Sequence, residues 1–349
     1  MTLVEVIHQW THNDRLIHSI KTALACLIGF IVGNYIHLQA VQWIVITTLV
    51  VMCAQLNVGS VIQKSYMRFL GTLLGSLLAV LALILFRNNA WINIGVVLVA
   101  AIFFSFIATS TRHYNEAGTL GAVTVAIILL GPDPSVQIGI HRFFEISLGI
   151  FIAAIISQFI FPIHAKTLLR RNQVATIRKI HSLYLHLFCD KSSPEGANKL
   201  GNLDEEIVKS LIAQRKLAGE ARREKIGKLF NADQFQQSLW CEKEIIRSII
   251  FMFHAYEKSY HSEAMQAHQS QLENFHREVA RILENIKNKI STSGLMESIA
   301  SMKESLHCVT KLEQDERISI DTFIFCAEIL VERLGKLIHL LGSENVECH

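Results

Sequence analysis

Four basic side chains stand in regions of the chain that otherwise carry almost no charge: Lys21, Arg68, Arg112 and Arg142. Placing Lys or Arg at mid-membrane costs roughly 2.5–3.5 kcal/mol on insertion scales. Each must therefore snorkel to nearby headgroups along its alkyl stem or be retained for its charge. The chemistry that suits such a set is electrostatic: holding and passing an anion. Arg142 also has Glu145 at i+3, so a local ion pair accounts for part of its presence. Glu145 and Glu116 are the acids placed to titrate, and so the candidates for proton coupling or ion pairing. Asn34, Asn57, Thr47, Thr48, Thr72 and Gln158 add polar groups within or beside the same apolar stretches.

Other chemistries find little support. The seven cysteines include no CxxC pair, and two fall inside apolar stretches; they read as small apolar residues. His254, His261 and His268 recur every seven residues, with His276 near the same stripe. On one helix two turns separate consecutive members, about 10.5 Å, too far to share a metal ion. They read as a solvated or interfacial stripe, with no metal site and no cofactor expected. There is no GxSxG, Walker loop or HExxH, so no catalytic residues are assigned and an enzyme is not expected.

The elements that must position the basic residues follow from charge. The chain has 349 residues and net charge +3, with only twelve Asp, Glu, Lys and Arg in residues 1–165 and fifty-one beyond. A soluble domain of the first composition could not cover itself with polar surface. Uncharged stretches run 22–63, 69–86, 88–111, 117–132 and 146–165. A spanning helix needs about 20 mostly apolar residues, and "IHLQAVQ" (Ile36–Gln42) divides the first stretch in two. Six spans are predicted, near 17–36, 41–60, 69–86, 91–110, 117–132 (extended N-terminally) and 143–161. The fifth ends at the prolines of "GPDPS" (Gly131–Ser135).

Six alternating spans place Arg15, Lys21, Lys64, Arg68, Arg112, Lys166, Arg170 and Arg171 on one side and only Arg87 and Arg142 on the other. That asymmetry predicts both termini in the cytoplasm of a multi-pass membrane protein. The first apolar segment lacks an A-x-A-like cleavage site, so it reads as retained.

The domains expected are a transmembrane transport domain, 1–165, and a cytosolic α-helical domain, 166–349. Over 203–230, Ile207, Leu211, Ala218, Ile226 and Leu229 recur at helical spacing between charges. "SPEGANKLGN" (Ser193–Asn202) reads as a loop and "EARREK" (Glu220–Lys225) as a solvated helix face. Asp321–Gly342 reads as a final helix with Asp321 as its N-cap. No alternating strand pattern competes, so the class is all-α: a six-helix membrane bundle followed by a helical bundle. The second half balances 26 basic against 25 acidic residues, which argues against nucleic acid.

Glycines four apart let helices approach where lipid supplies no hydrophobic drive. Gly71/Gly75, Gly29/Gly33 and the closer pair Gly118/Gly121 are assigned to helix packing. "SYMRFLGTLLGSLLAVLALILF" (Ser65–Phe86) resembles the third span of the fusaric acid resistance / aromatic acid exporter family, where a basic residue precedes G-T-x-x-G. "HRFFEISLGIFIAAIISQFIFP" (His141–Pro162) resembles that family's sixth span, and plant aluminium-activated malate channels share the plan. The resemblance covers residues 1–165; beyond them it rests on helicity. It implies coordination of a carboxylate by Arg68, Arg112 and Arg142. A single six-span unit further implies a homodimer.

The function expected is therefore a bacterial inner-membrane exporter or channel for organic carboxylate anions, aromatic ones included, embedded in the lipid bilayer. Two alternatives stand beside it. One is a proton-coupled antiporter using Glu145 or Glu116, and the other a non-transporting scaffold whose cytosolic bundle binds a partner.

Overall fold

A computed structural model of the chain describes residues 3–346, apart from 54, 87–88, 111–113, 189–195, 225–229, 260–262, 287–296, 298, 302–303 and 305–313. Every regular element among the described residues is an α-helix. The chain divides into two compact units: Met1–Leu168 with Gly219–Leu229, and Leu169–Ala218 with Phe230–His349. The first unit therefore extends slightly past residue 165 and takes in a segment from far along the chain.

The first unit is built from α1 (Leu3–Tyr35), α2 (Gln42–Met52), α3 (Val58–Phe86), α4 (Ala90–Ser110), α5 (Asn115–Leu129) and α6 (Val136–Phe159). Four of these hold stretches long and apolar enough to cross a membrane: Asp14–Tyr35, Val58–Phe86, Ala90–Ser110 and Val136–Phe159. With 11 and 15 residues, α2 and α5 reach only about 17 and 23 Å, short of a hydrocarbon core of about 30 Å. Exposed apolar side chains ring the unit, among them Leu77, Leu98, Ile102, Phe106 and Phe151. Such a belt suits lipid rather than water.

The expected helix 41–60 does not form as one piece. It stops at Met52, and the residues up to 60 begin α3 instead of ending α2. The reason is Asn57, whose Oδ1 accepts from the Ser60 N–H at 2.9 Å, an N-cap that starts a new helix. The third helix consequently begins eleven residues before the expected 69. Arg68, expected at a helix mouth, stands ten residues inside. Helix α1 ends in a Schellman turn: Leu38 N–H reaches Gly33 O (3.1 Å) and His37 N–H reaches Asn34 O (3.1 Å). His37 takes φ 55° to allow it. At the start of α6, Ser135 caps through its hydroxyl, which accepts from Ile138 N–H (3.2 Å), just past the two prolines.

Two apolar clusters hold this unit. Ala25, Ile44, Val51, Met52, Val61, Ile146 and Ala153 join α1, α2 and α6 to the start of α3. Ala79, Leu83, Ala100, Phe104, Val125 and Ile128 join α3, α4 and α5. Packed against both α5 and α6, α3 is the central helix.

The second unit comprises most of α7 (Ala165–Phe188) and α8 (Gly196–Ala221), then α9 (Ala232–Ser259), α10 (Glu263–Ala267), α11 (Gln269–Glu284) and α12 (Gln314–Val346). Helix α8 already runs through 196–202, within the stretch that reads as a loop in the sequence; the earlier part of that stretch lies outside the described residues. In α12 Asp321 is interior rather than capping, the helix starting seven residues sooner. Tyr184, Ile245, Ile249, Phe275, Val279, Phe323 and Leu330 form its core. The histidine stripe does not run along one helix, because α9 ends at Ser259, before His268, which itself precedes α11. His261 is outside the described residues. His276 is instead a core residue, its Nδ1 2.7 Å from the Tyr184 hydroxyl and its ring stacked 4.4 Å from Phe188.

Candidate functional site

Arg68 is the most demanding group in the first unit. It is 6% exposed, on the face of α3 that also buries Ser65, Gly71, Thr72, Gly75 and Ser76. These small residues bring neighbouring backbones close and leave the long side chain nowhere to go but inward. One terminal nitrogen, Nη2, donates to Thr47 Oγ1 of α2 at a long 3.5 Å. Nε and Nη1 are buried and have no hydrogen-bond partner among the described residues. A guanidinium carries five N–H donors in a planar fork matched to a carboxylate. Here that fork is desolvated and largely unsatisfied. Glu116, at the start of α5, pairs with Lys64 at 3.5 Å and acts on Arg68 from farther away.

Lys21 is also buried, at 2%, on the α1 stripe that continues through Thr22, Ala25, Gly29 and Gly33. No carboxylate pairs with it among the described residues. One turn earlier, both ring nitrogens of His18 are buried, with the Met52 backbone beside them. The first unit thus encloses two cations on separate helices.

Arg142 has a different setting. Its Nη1 donates to Glu145 Oε2 at 2.9 Å, and its guanidinium lies 4.8 Å over the Trp43 ring. Glu145 Oε1 in turn accepts the Ala40 N–H at 3.0 Å. The carboxylate ties α6 to the approach of α2, and the arginine neutralises it. This ion pair sits at the N-terminal end of α6, where the next residue, Phe143, packs its ring 5.8 Å from that of Phe69, the residue after Arg68. Arg112 lies outside the described residues. Geometry therefore separates the described basic residues into two deeply buried groups and one paired group.

The paired glycines occupy close approaches. A Cβ on Gly71 would collide with Ala117 O, and one on Gly75 would stand 2.6 Å from Gly121 O, fixing α3 on α5. A Cβ on Gly118 would stand 2.5 Å from Phe104 O, and one on Gly121 would meet the Phe104 ring, fixing α5 on α4. Gly29 and Gly33 leave room for Ile44 and Val41 of α2.

Sequence reasoning missed one part of the site. Glu220–Glu224, read as a solvated helix face, is bound to the first unit at the N-terminal end of α3. Glu220 Oε2 accepts from Asn57 Nδ2 at 2.9 Å. Glu224 Oε1 accepts from both Gly59 N–H (3.1 Å) and Ala165 N–H (2.8 Å), while its Oε2 sits 3.4 Å from His164 Nδ1. One carboxylate therefore serves unsatisfied amides at the starts of two helices, α3 and α7. Arg223 Nη1 donates to Gln63 Oε1 at 2.6 Å. Beside it lies a cavity of about 440 Å³ lined by Ile62, Gln63, Tyr66, Met67, Tyr114 and Arg223. The only local hint is an Asn-x-Gly pair, Asn57 and Gly59, whose partners lie some 160 residues away.

Apolar helices girdled by exposed Leu, Ile and Phe, with cations buried among them, define a helical integral membrane protein. Its family follows from sequence comparison. The chain belongs to the Fusaric acid resistance protein family, which it matches over residues 15–345. It is 28% identical over 244 residues to the multidrug resistance protein MdtO of Escherichia coli O6:H1, covering 62% of this chain and 34% of that one. MdtO of Escherichia coli K12 is 32% identical over 162 residues, covering 44% and 23%. The inner membrane protein YeeA of Escherichia coli K12 is 30% identical over 143 residues, covering 40% and 39%. The chain thus spans between about a quarter and two fifths of the length of these relatives.

Proposed function

We propose that this chain forms an inner-membrane exporter or channel for organic carboxylate anions, and that Arg68 is where the anion is held as it crosses. The observation that carries this reading is the burial of Arg68 with Nε and Nη1 unsatisfied. An unpaired buried cation is costly, and a substrate carboxylate is the group that would satisfy its fork in two parallel hydrogen bonds. Lys21 is a second, weaker stop. Relatives named for multidrug resistance and for the inner membrane support export as the activity and that membrane as the location. With both termini cytosolic, the α3 N-terminal end faces the cytosol. An anion leaving a negative interior then releases roughly 2.3 kcal/mol per 100 mV. No ATP is required.

A proton-coupled cycle, the second reading, would run through Glu116. Its carboxylate is close enough to act on both Lys64 and Arg68, whereas Glu145 is held by Arg142 and Ala40. The chain is proposed to work as a homodimer. Helix α4, which buries only Asn93, Ala100 and Phe104, offers its wide apolar face to lipid or to a second copy.

The test is efflux of a labelled carboxylate from proteoliposomes. Wild type should pass the anion down an imposed potential, and Arg68→Gln should cut flux at least tenfold with folding unchanged. Absence of flux in wild type favours the scaffold alternative. Normal flux in Arg68→Gln removes Arg68 from the path.

A further inference from the structure

We infer that the cavity beside Arg223 is a separate entry site for aromatic carboxylates, with its anion-binding group supplied by the segment that returns to the first unit from residue 219 onward. The inference rests on the transport reading only for its place in the cycle; the binding itself stands alone. The cavity, about 440 Å³, lies within the range of small-molecule sites. Ile62, Gln63, Tyr66 and Met67 form one side of α3's first turns, and Tyr114 immediately precedes α5. Both tyrosine rings are more than half exposed, so their faces are open to a flat apolar body, with the Met67 thioether and Ile62 alongside.

Among the described residues, Arg223 is the only charged one in the lining. Glu220 and Glu224, its acidic neighbours, are engaged with Asn57 and with Gly59, Ala165 and His164. Gln63 takes one donor of the guanidinium through Nη1 and holds it in position, leaving the rest of the fork for a ligand oxygen. Aromatic walls with one fixed cation select an aromatic ring bearing an anionic group. A neutral aromatic lacks the charge-assisted hydrogen bond, and a small inorganic anion lacks the stacking.

The experiment is equilibrium dialysis of labelled 1-naphthoate against the full chain in phosphatidylcholine nanodiscs. It is run on wild type and on Arg68→Gln, where the deep site contributes nothing. In both backgrounds Arg223→Gln should weaken binding roughly tenfold or more, the share of one charge-assisted hydrogen bond. Arg223→Lys should restore much of the affinity, and Tyr66→Ala and Tyr114→Ala should each weaken it. Binding of uncharged 1-naphthamide should not change with Arg223→Gln. An unchanged melting temperature in each variant excludes unfolding as the cause. Unaltered naphthoate affinity in Arg223→Gln would overturn the assignment. Displacement of naphthoate by phosphatidylglycerol in the discs would also overturn it, by making the cavity a lipid site. In the flux assay, Arg223→Gln should raise the half-saturating concentration and leave the maximal rate. Naphthoate binding without wild-type flux would sink the transport reading and leave the entry site intact.

Discussion

Glu145 is 1% exposed and holds two elements at once, accepting from Arg142 and from Ala40 N–H. Arg142→Gln strips its counter-charge in a place with little water, where breaking a buried pair costs about 3–5 kcal/mol. The 20% exposure of the Arg142 side chain puts the expected destabilisation at the lower end. Thermal unfolding in detergent should show it, and Arg142→Gln/Glu145→Gln should recover most of it. A double variant as unstable as the single would mean that Ala40's bond, not the charge, is what matters. In the second unit, Glu242 is fully buried, and among the described residues Gln214 Nε2 alone is bonded to it, at Oε2 (2.8 Å). Burial pushes its carboxyl up to about 8. The folded state thus keeps a proton that the unfolded state gives up near the ordinary value of 4.5. Stability contributed by the neutral form should be full below about 4.5 and fall as pH rises toward about 8, by up to about 1.4 kcal/mol per pH unit. Denaturation across that range should show the slope, and Glu242→Gln should abolish it. The sequence disclosed the Arg142–Glu145 spacing, since three residues on a helix are neighbours. It could not disclose Glu242 as buried, because nothing in "CEKEII" separates it from the exposed charges around it.

At the scale of helices, the glycines on α3 differ from the one on α4. Gly71 and Gly75 leave no space for a Cβ against α5, whereas Gly95 has nothing within 4 Å. Gly71→Ala should therefore destabilise by about 1–3 kcal/mol through overpacking, while Gly95→Ala should be neutral or gain up to about 1 kcal/mol in helix propensity. Melting of the two variants side by side checks both directions at once. Small residues at regular spacing make this face legible in the amino-acid order alone. The start of α3 is not legible there, because Lys64 and Arg68 look like the flanks of a span. The helix continues straight through them, Lys64 finding Glu116 and Arg68 finding Thr47. Charge alone does not mark a helix end, because the groups these side chains meet stand on other helices and are invisible to a local window.

For the whole molecule, the proposed orientation has a direct check. A reporter fused after Asn89 should report the periplasm, and one after Arg171 the cytosol; the reverse pattern would invert the entry site and the direction of flux. The fall in apolar content past residue 165 is legible in the order of residues, because bilayer and water demand different compositions. The crossing back of residues 219–224 is not, since it depends on pairings such as Asn57–Glu220 that are far apart in sequence.

That crossing back has a consequence for the order of synthesis. Among the described residues, the amides of Gly59 and Ala165 find their side-chain acceptor in Glu224, a residue translated after the last apolar helix. Until then α3 and α7 begin with bare amides, and Asn57 lacks the partner of its side-chain amide. Closing these bonds also makes residues 169–218 a loop anchored at both ends, at an entropic cost that grows only slowly with loop length. The bundle therefore gains the last bonds at these helix starts only once a short stretch from the middle of the later chain has been made.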